Sequence, residues 1–239
     1  MATRVILAPN PGPMTLDGTN SYAISGPNSP GCVIVDPGPS DAGHVAELAA
    51  LRPELILVTH RHPDHTAASA ELHRLTGAAV RAVDPEHCHG GDPLIDGEVI
   101  EAAAVSIRVL ATPGHTDDSA CFVLADGILT GDTVLGRGTT VVDGSLADYL
   151  DSLNTLRSYG GTAVLPGHGP ELGSIADACD ALIAHREMRL NEVRAALAQL
   201  GADATVRQVA DVVYADIDPA VRFAAEMSVQ SQLEYLRSR

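Results

Sequence analysis

Four side chains that can bind metal crowd into one stretch of this chain, Thr59-His60-Arg61-His62-Pro63-Asp64-His65. Imidazole and carboxylate are donors that Zn²⁺, Mn²⁺ and iron accept. His60 and His62 are two residues apart, so on an extended chain they point to the same side and can grip one ion. Pro63 suits the start of a helix, which puts Asp64 and His65 in its first turn. Their side chains diverge there and reach a second point nearby. Chance gives the spacing H-x-H-x-D-H in roughly one such sequence in a thousand.

Three later turns repeat one arrangement, an apolar run that ends in glycine beside a single donor. They are Thr112-Pro113-Gly114-His115, Thr130-Gly131-Asp132 and Leu165-Pro166-Gly167-His168. Glycine lets the backbone turn sharply and approach an ion closely. With the first cluster they make seven donors, five His and two Asp. That number suits two ions, each with three or four protein ligands and shared water. There is no G-x-S-x-G elbow, and this chemistry requires no Ser or Cys nucleophile.

The elements that must position these donors can be read from short apolar runs punctuated by Gly and Pro. Cys32–Val35, Leu55–Val58, Ile107–Leu110, Cys121–Leu124, Ile128–Leu129 and Ala163–Leu165 have the length and branching of buried strands. Helical spacing marks Asp41–Leu51, His65–Leu75 and Leu146–Tyr159. Strands mixed with helices without strict alternation point to α/β or α+β layers over residues 1–172. After about residue 173 the pattern is helical. Ser174 caps a long helix that Gly201 ends, Thr205 and Gln208 form a capping box, and Asp218-Pro219 opens a last helix towards Leu236. Residues 173–239 are therefore expected to be a small helical appendage.

Composition narrows the function. The chain has 239 residues, 45% of them apolar, and a formal charge of −16. All 15 basic residues are arginine. A broad acidic balance argues against polyanion binding, which draws on basic faces. Cys32, Cys88, Cys121 and Cys179 show no C-x-x-C pairing, and no apolar run approaches the roughly 20 residues that span a bilayer. The apolar stretch at the N-terminus is too short for a signal peptide. The expectation is a cytoplasmic protein with no membrane association and no predicted oligomeric state.

The order H-x-H-x-D-H, P-G-H-T, G-D, P-G-H-G resembles that of the metallo-β-lactamase superfamily of hydrolases. The resemblance implies an αββα sandwich with a dinuclear site on one edge. By position, it makes His60, His62 and His115 the ligands of one Zn²⁺ and Asp64, His65 and His168 those of a second, with Asp132 bridging. Mn²⁺ or iron are the other metals such a site takes. Asp64 and Asp132 are then the catalytic carboxylates. Val35-Asp36-Pro37-Gly38 matches an early motif in which Asp36 holds a ligand histidine. Leu16–Tyr22, Gly114–Asp118 and Leu135–Thr140 resemble a "β-lactamase-like" branch that includes a mitochondrial endoribonuclease with a winged-helix-like appendage. That branch makes Asn20 and Asp118 candidates for the substrate side. The chain reaches Arg239 about where a wing hairpin would begin, so the appendage is expected without its wing. It carries seven Arg against ten acids.

The expected activity is attack of activated water on an ester, thioester, lactone or phosphodiester, with a small-molecule substrate favoured by the charge. Single-stranded RNA stays open as the specific substrate, and a mononuclear-iron oxidoreductase of the persulfide dioxygenase kind is the alternative. Structural zinc without catalysis is disfavoured, because such sites close with four ligands. Glu86-His87-Cys88-His89 has no partner cluster and reads as a loop. His44, His73 and His185 fall in helical patterns and read as surface or packing residues.

Overall fold

Cys32, Val33, Ile34 and Val35 are all buried, although successive strand residues face opposite ways. A strand apolar on both faces needs cover on both. In the computed structural model, which describes residues 1–238, that cover comes from a second sheet on one side and helices on the other. The first sheet runs β1 (Ala2–Leu7), β2 (Asn20–Ser25), β3 (Cys32–Val35), β4 (Pro53–Leu57) and β5 (Ala79–Arg81) in spatial order. Its first two pairings are antiparallel and its last two parallel. The second sheet places β6 (Val99–Ala102), β7 (Val105–Ala111), β8 (Ala120–Val123) and β9 (Ile128–Gly131) as antiparallel neighbours. β10 (Val164–Pro166) then joins β9 in parallel.

Between the sheets, Tyr22, Val33, Val35 and Leu57 meet Ile107, Val109, Phe122 and Leu129. On the outside of the first sheet lie α1 (Ala42–Ala50), the short α2 (Pro63–Thr66) and α3 (Ser69–Thr76). Val45, Leu48 and Leu72 cover Ile34, Ile56 and Val80 there. On the outside of the second sheet, α4 (Leu146–Arg157) and α5 (Ile175–Leu200) bring Tyr149, Leu153 and Cys179 onto Cys121, Ile128 and Val164. This is the expected αββα sandwich with a C-terminal helical region.

Beyond the sandwich, α5 packs Val193 and Ala196 against α6 (Val206–Val213) and α7 (Arg222–Arg237). Thr205 and Gln208 form the capping box. Among the described residues no strand follows β10, and Arg239, the last residue of the expected appendage, lies outside them.

Two local readings change. The single helix expected over His65–Leu75 is broken between Thr66 and Ser69, because the Ala68 amide donates to the Gly38 carbonyl at 3.0 Å instead of continuing the ladder. Pro219 opens a one-turn 3₁₀ segment, and α7 begins only at Arg222. Phe122→Ala, in the fully buried inter-sheet layer, should lower unfolding free energy by about 3–5 kcal/mol in a urea titration. Val5→Ala on the exposed edge strand should stay within about 0.5 kcal/mol of the parent.

Candidate metal centre

The seven donors sit where strands end. His60 and His62 follow β4, Asp64 and His65 lie in α2, and His115 lies in the β7–β8 turn. Asp132 follows β9 and His168 follows β10. Backbone bonds hold these ends together. Ala120 N donates to Thr59 O, Gly167 N to Gly131 O and Asn20 N to Gly167 O, each at 2.8 Å. Glycine is required at 167, because a Cβ there would meet Asp132 Oδ1 at 2.5 Å and the His65 ring at 2.8 Å.

His60, His62 and His115 converge. Their facing nitrogens are 3.1–3.2 Å apart in all three pairs. Asp64, His65 and His168 form a second group, with His65 Nε2 and His168 Nε2 at 3.2 Å and Asp64 Oδ2 at 3.1 Å from His168. Asp132 reaches both. Its Oδ1 is 3.5 Å from His65 Nε2, and its Oδ2 is 3.5 Å from His168 and 3.8 Å from His115. Asp132 Oδ1 is buried with no hydrogen-bond partner.

The far side of each ring decides what these nitrogens carry. His115 Nδ1 faces the Val141 carbonyl at 2.7 Å and His168 Nδ1 the Gly18 carbonyl at 3.0 Å. A carbonyl only accepts, so both protons sit on Nδ1. His65 Nδ1 faces the Asp36 carboxylate at 2.8 Å, with the same result. The Thr59 hydroxyl donates to Asp36 Oδ2 at 2.7 Å and therefore accepts from His60 Nδ1 at 3.0 Å. In the neutral rings four bare Nε2 lone pairs thus point inward. His60 against His115 and His65 against His168 are lone pair against lone pair, which repel unless a cation lies among them. Tetrahedral zinc, with bonds of ~2.0–2.1 Å, places its nitrogens about 3.4 Å apart, so the donor set fits divalent metal.

Electrostatics divides the two groups. Burial, reinforced by neighbouring imidazoles, holds His60 well below its ordinary value, and burial also lowers His62 and His115. These rings stay neutral and able to ligate. Burial opposes a charge on His65 too, but Asp36, Asp132 and Asp64 outweigh it and push it up to about 9. His168 is raised against burial by its bond to Asp64 and by Asp132. Burial likewise opposes ionisation of Asp64, yet His168 and His65 hold its carboxyl well below the usual range. A proton takes the cation's place in the metal-free second group.

The remaining predicted residues are placed as follows. Asp36, at φ 54°, accepts from Thr59 N and Thr59 Oγ1 while it fixes His65. This left-handed backbone is one that Asp tolerates better than most residues. Asn20 is buried and donates to the Pro166 and Gly169 carbonyls, on either side of His168. Asp118 is turned to Arg61 at 3.2 Å and to the Thr116 hydroxyl at 2.7 Å. His44 is buried against the Ser21 hydroxyl. Glu86-His87-Cys88-His89 lies away from the centre, around a short 3₁₀ turn.

Sequence reasoning missed the cleft that opens on the centre. It has a volume of about 320 Å³ and is lined by His115 and Asp132, by Met14 and Leu135, and by α5 and the C-terminal helices. His185, expected at the surface or in packing, lines it, as do Arg186 and Arg189. A signal was available: Arg186 interrupts the apolar stripe of α5 between Leu182 and Leu190.

A family model described as the metallo-beta-lactamase superfamily matches residues 14–168. The chain belongs to that superfamily. The Beta-lactamase-like protein 2 homolog of Caenorhabditis elegans is 31% identical over 247 residues, covering 97% of this chain and 82% of the relative. An Atrochrysone carboxyl ACP thioesterase of Aspergillus fumigatus is 33% identical over 80% of this chain, which spans 64% of that longer protein. The crystal structure of a metallo-beta-lactamase family protein from Thermus thermophilus superposes with a TM-score of 0.83 at 25% identity, covering 99% of this chain and 93% of that one. The protein is an enzyme of the superfamily, a metallo-hydrolase.

Two measurements follow. Asp36→Asn should weaken zinc affinity about 10–100-fold in a competition titration, because His65 loses its orienting acceptor. A metal held by His65 would need a bare Nε2, so zinc uptake at pH 7 should release at least about one proton per chain, read from calorimetry in two buffers. His65 carries that proton only below about 9, so its share of the release should fade as pH rises through that value.

Proposed function

We propose that the protein holds two Zn²⁺ ions, one on His60, His62 and His115, the other on Asp64, His65 and His168, with Asp132 between them. In this reading it hydrolyses a small ester, thioester or lactone. The observation that carries it is the second group of donors, packed against the first and sharing Asp132 with it. A mononuclear-iron oxidoreductase would use only one such group. Residues 1–172 form the catalytic unit and 173–239 an appendage that walls the cleft. The four free cysteines accord with a reducing cytosol. Among the described residues no helix is long and apolar enough to cross a membrane.

When bound, the ions supply water acidic enough to ionise near neutral pH and a positive field for the oxygen that gains charge. The chain's own groups do the rest. Asp64 is 27% exposed, so its carboxylate can orient the attacking water while it remains a ligand. Thr140 and Val141 hold the His115 ring from behind, and Asp36 and Thr59 hold His65 and His60. These contacts lock ligand rotamers before substrate arrives, which removes reorganisation from the reaction. Small substrates are supported over RNA by the cleft's volume of about 320 Å³ and the charge of −16. The thioesterase relative supports a thioester among them.

His60→Ala and Asp132→Ala proteins with unchanged circular dichroism should lose zinc by elemental analysis. They should also lose turnover on a panel of S-lactoylglutathione, a lactone, bis-p-nitrophenyl phosphate and single-stranded RNA. Folded variants that keep both metal and turnover would refute the assignment.

A further inference from the structure

The cleft reverses the charge of the rest of the molecule. Against a net charge of −16, its lining includes three arginines, Arg137, Arg186 and Arg189, and one acid, the candidate ligand Asp132. Arg186 is 3% exposed. Its Nη2 donates to the Thr140 carbonyl at 2.5 Å, its guanidinium lies 5.2 Å from the Tyr149 ring centre, and its Nε is buried without a partner. Burial pushes Tyr149 up to about 12, so the phenol stays uncharged. No carboxylate among the described residues pairs with Arg186. A buried cation without a counter-charge is costly, and an anionic ligand would relieve that cost.

Arg189 lies one helical turn further along α5. It stacks 4.8 Å from the Tyr214 ring centre and gives Nη1 to Glu192 at 2.7 Å, and its Nε is also buried and unpartnered. Arg137 stands exposed at the rim, 3.9 Å from Asp17. Arg186 is close to the chemistry, because Thr140, which receives its proton, also bonds His115 Nδ1 through its hydroxyl at 2.8 Å. The remaining walls are largely apolar, among them Leu135, Ile217, Val221 and Ala224. At about 320 Å³ the cleft lies at the small end of the ~300–1,000 Å³ range for ligand sites.

We propose that Arg186 and Arg189 set substrate specificity by selecting acyl groups that carry a second, anionic carboxylate on a short apolar chain. The inference rests on the hydrolase reading and names its substrate class. The planar guanidinium fork matches a carboxylate, and the cleft's size favours a compact acid over a long carrier arm. In the reaction a C–O bond to water forms, the acyl C–S or C–O bond breaks, and the thiol or alcohol leaves with a proton. The second carboxylate is a handle and is unchanged.

The test compares N-acetylcysteamine thioesters of succinate and succinamate, equal in size and different in charge, on the zinc-loaded enzyme. The acid should be preferred by about tenfold or more in kcat/KM, the worth of one charge-assisted bond. That ratio should fall towards 1 in Arg189→Gln and Arg186→Gln, and Arg186→Lys should restore part of it. Should Arg186→Gln fail to fold, Arg189→Gln alone decides. Butyryl thioesters of coenzyme A and N-acetylcysteamine form the second arm. An arginine-dependent preference for coenzyme A, with none for succinyl, would assign the arginines to a phosphate and overturn the proposal. Glutarate binding to metal-free protein, followed by calorimetry, separates the two readings. Arginine-dependent binding with no turnover of these thioesters or of the ester and lactone panel would sink the hydrolase reading and leave the anion site standing. An acid-to-amide ratio near 1 in the parent, or glutarate binding that both glutamine variants leave unchanged, would overturn the anion site.

Discussion

Two pairs of imidazole nitrogens, His60 with His115 and His65 with His168, face each other at 3.2 Å, the first as bare lone pairs and the second around the proton that His65 holds in place of a cation. Such an arrangement is unfavourable in isolation. It persists because each ring is fixed from behind by an acceptor that belongs to the scaffold: the Val141 and Gly18 carbonyls, the Asp36 carboxylate and the Thr59 hydroxyl. Those acceptors lie on different segments, so the sandwich must be assembled before the rings are confronted. The inter-sheet layer around Phe122 and Leu57 supplies that rigidity, since close-packed interiors yield little. The same layer makes the strand ends a fixed rim.

Much of this was legible in the chain. The buried strands β3, β4 and β8 announce themselves as apolar runs, because both their faces are largely covered, whereas β7 alternates buried Val105, Ile107 and Val109 with exposed Ser106 and Arg108. The seven donors announce themselves by type and by the glycines beside them. β1 did not, because an edge strand with Val5 and Leu7 exposed mixes polar and apolar positions without a clean period. The break between α2 and α3 was also hidden, since it depends on a carbonyl from residue 38, far from residue 68 in sequence.

The cleft was illegible for a different reason. Its wall is assembled from the β1–β2 connection, the β9–α4 connection, α5, the α6–α7 connection and α7, and no local pattern reports their meeting. Only Arg186 left a trace, as a charge on the apolar stripe of α5. A cation within a packed face carries information because a merely structural helix would not place one there.

α5 has a divided allegiance. Its first half is part of the sandwich core, through Ile175, Cys179 and Leu182, and its second half is the floor on which α6 and α7 rest. The donors all precede it, whereas much of the cleft wall lies on it or after it. The chain thus keeps its candidate metal donors ahead of α5 and much of the cleft wall on or after that one stiff rod. Replacement of the segment beyond residue 200 would reshape the cleft wall, while the seven donors and the acceptors behind them are inherited intact.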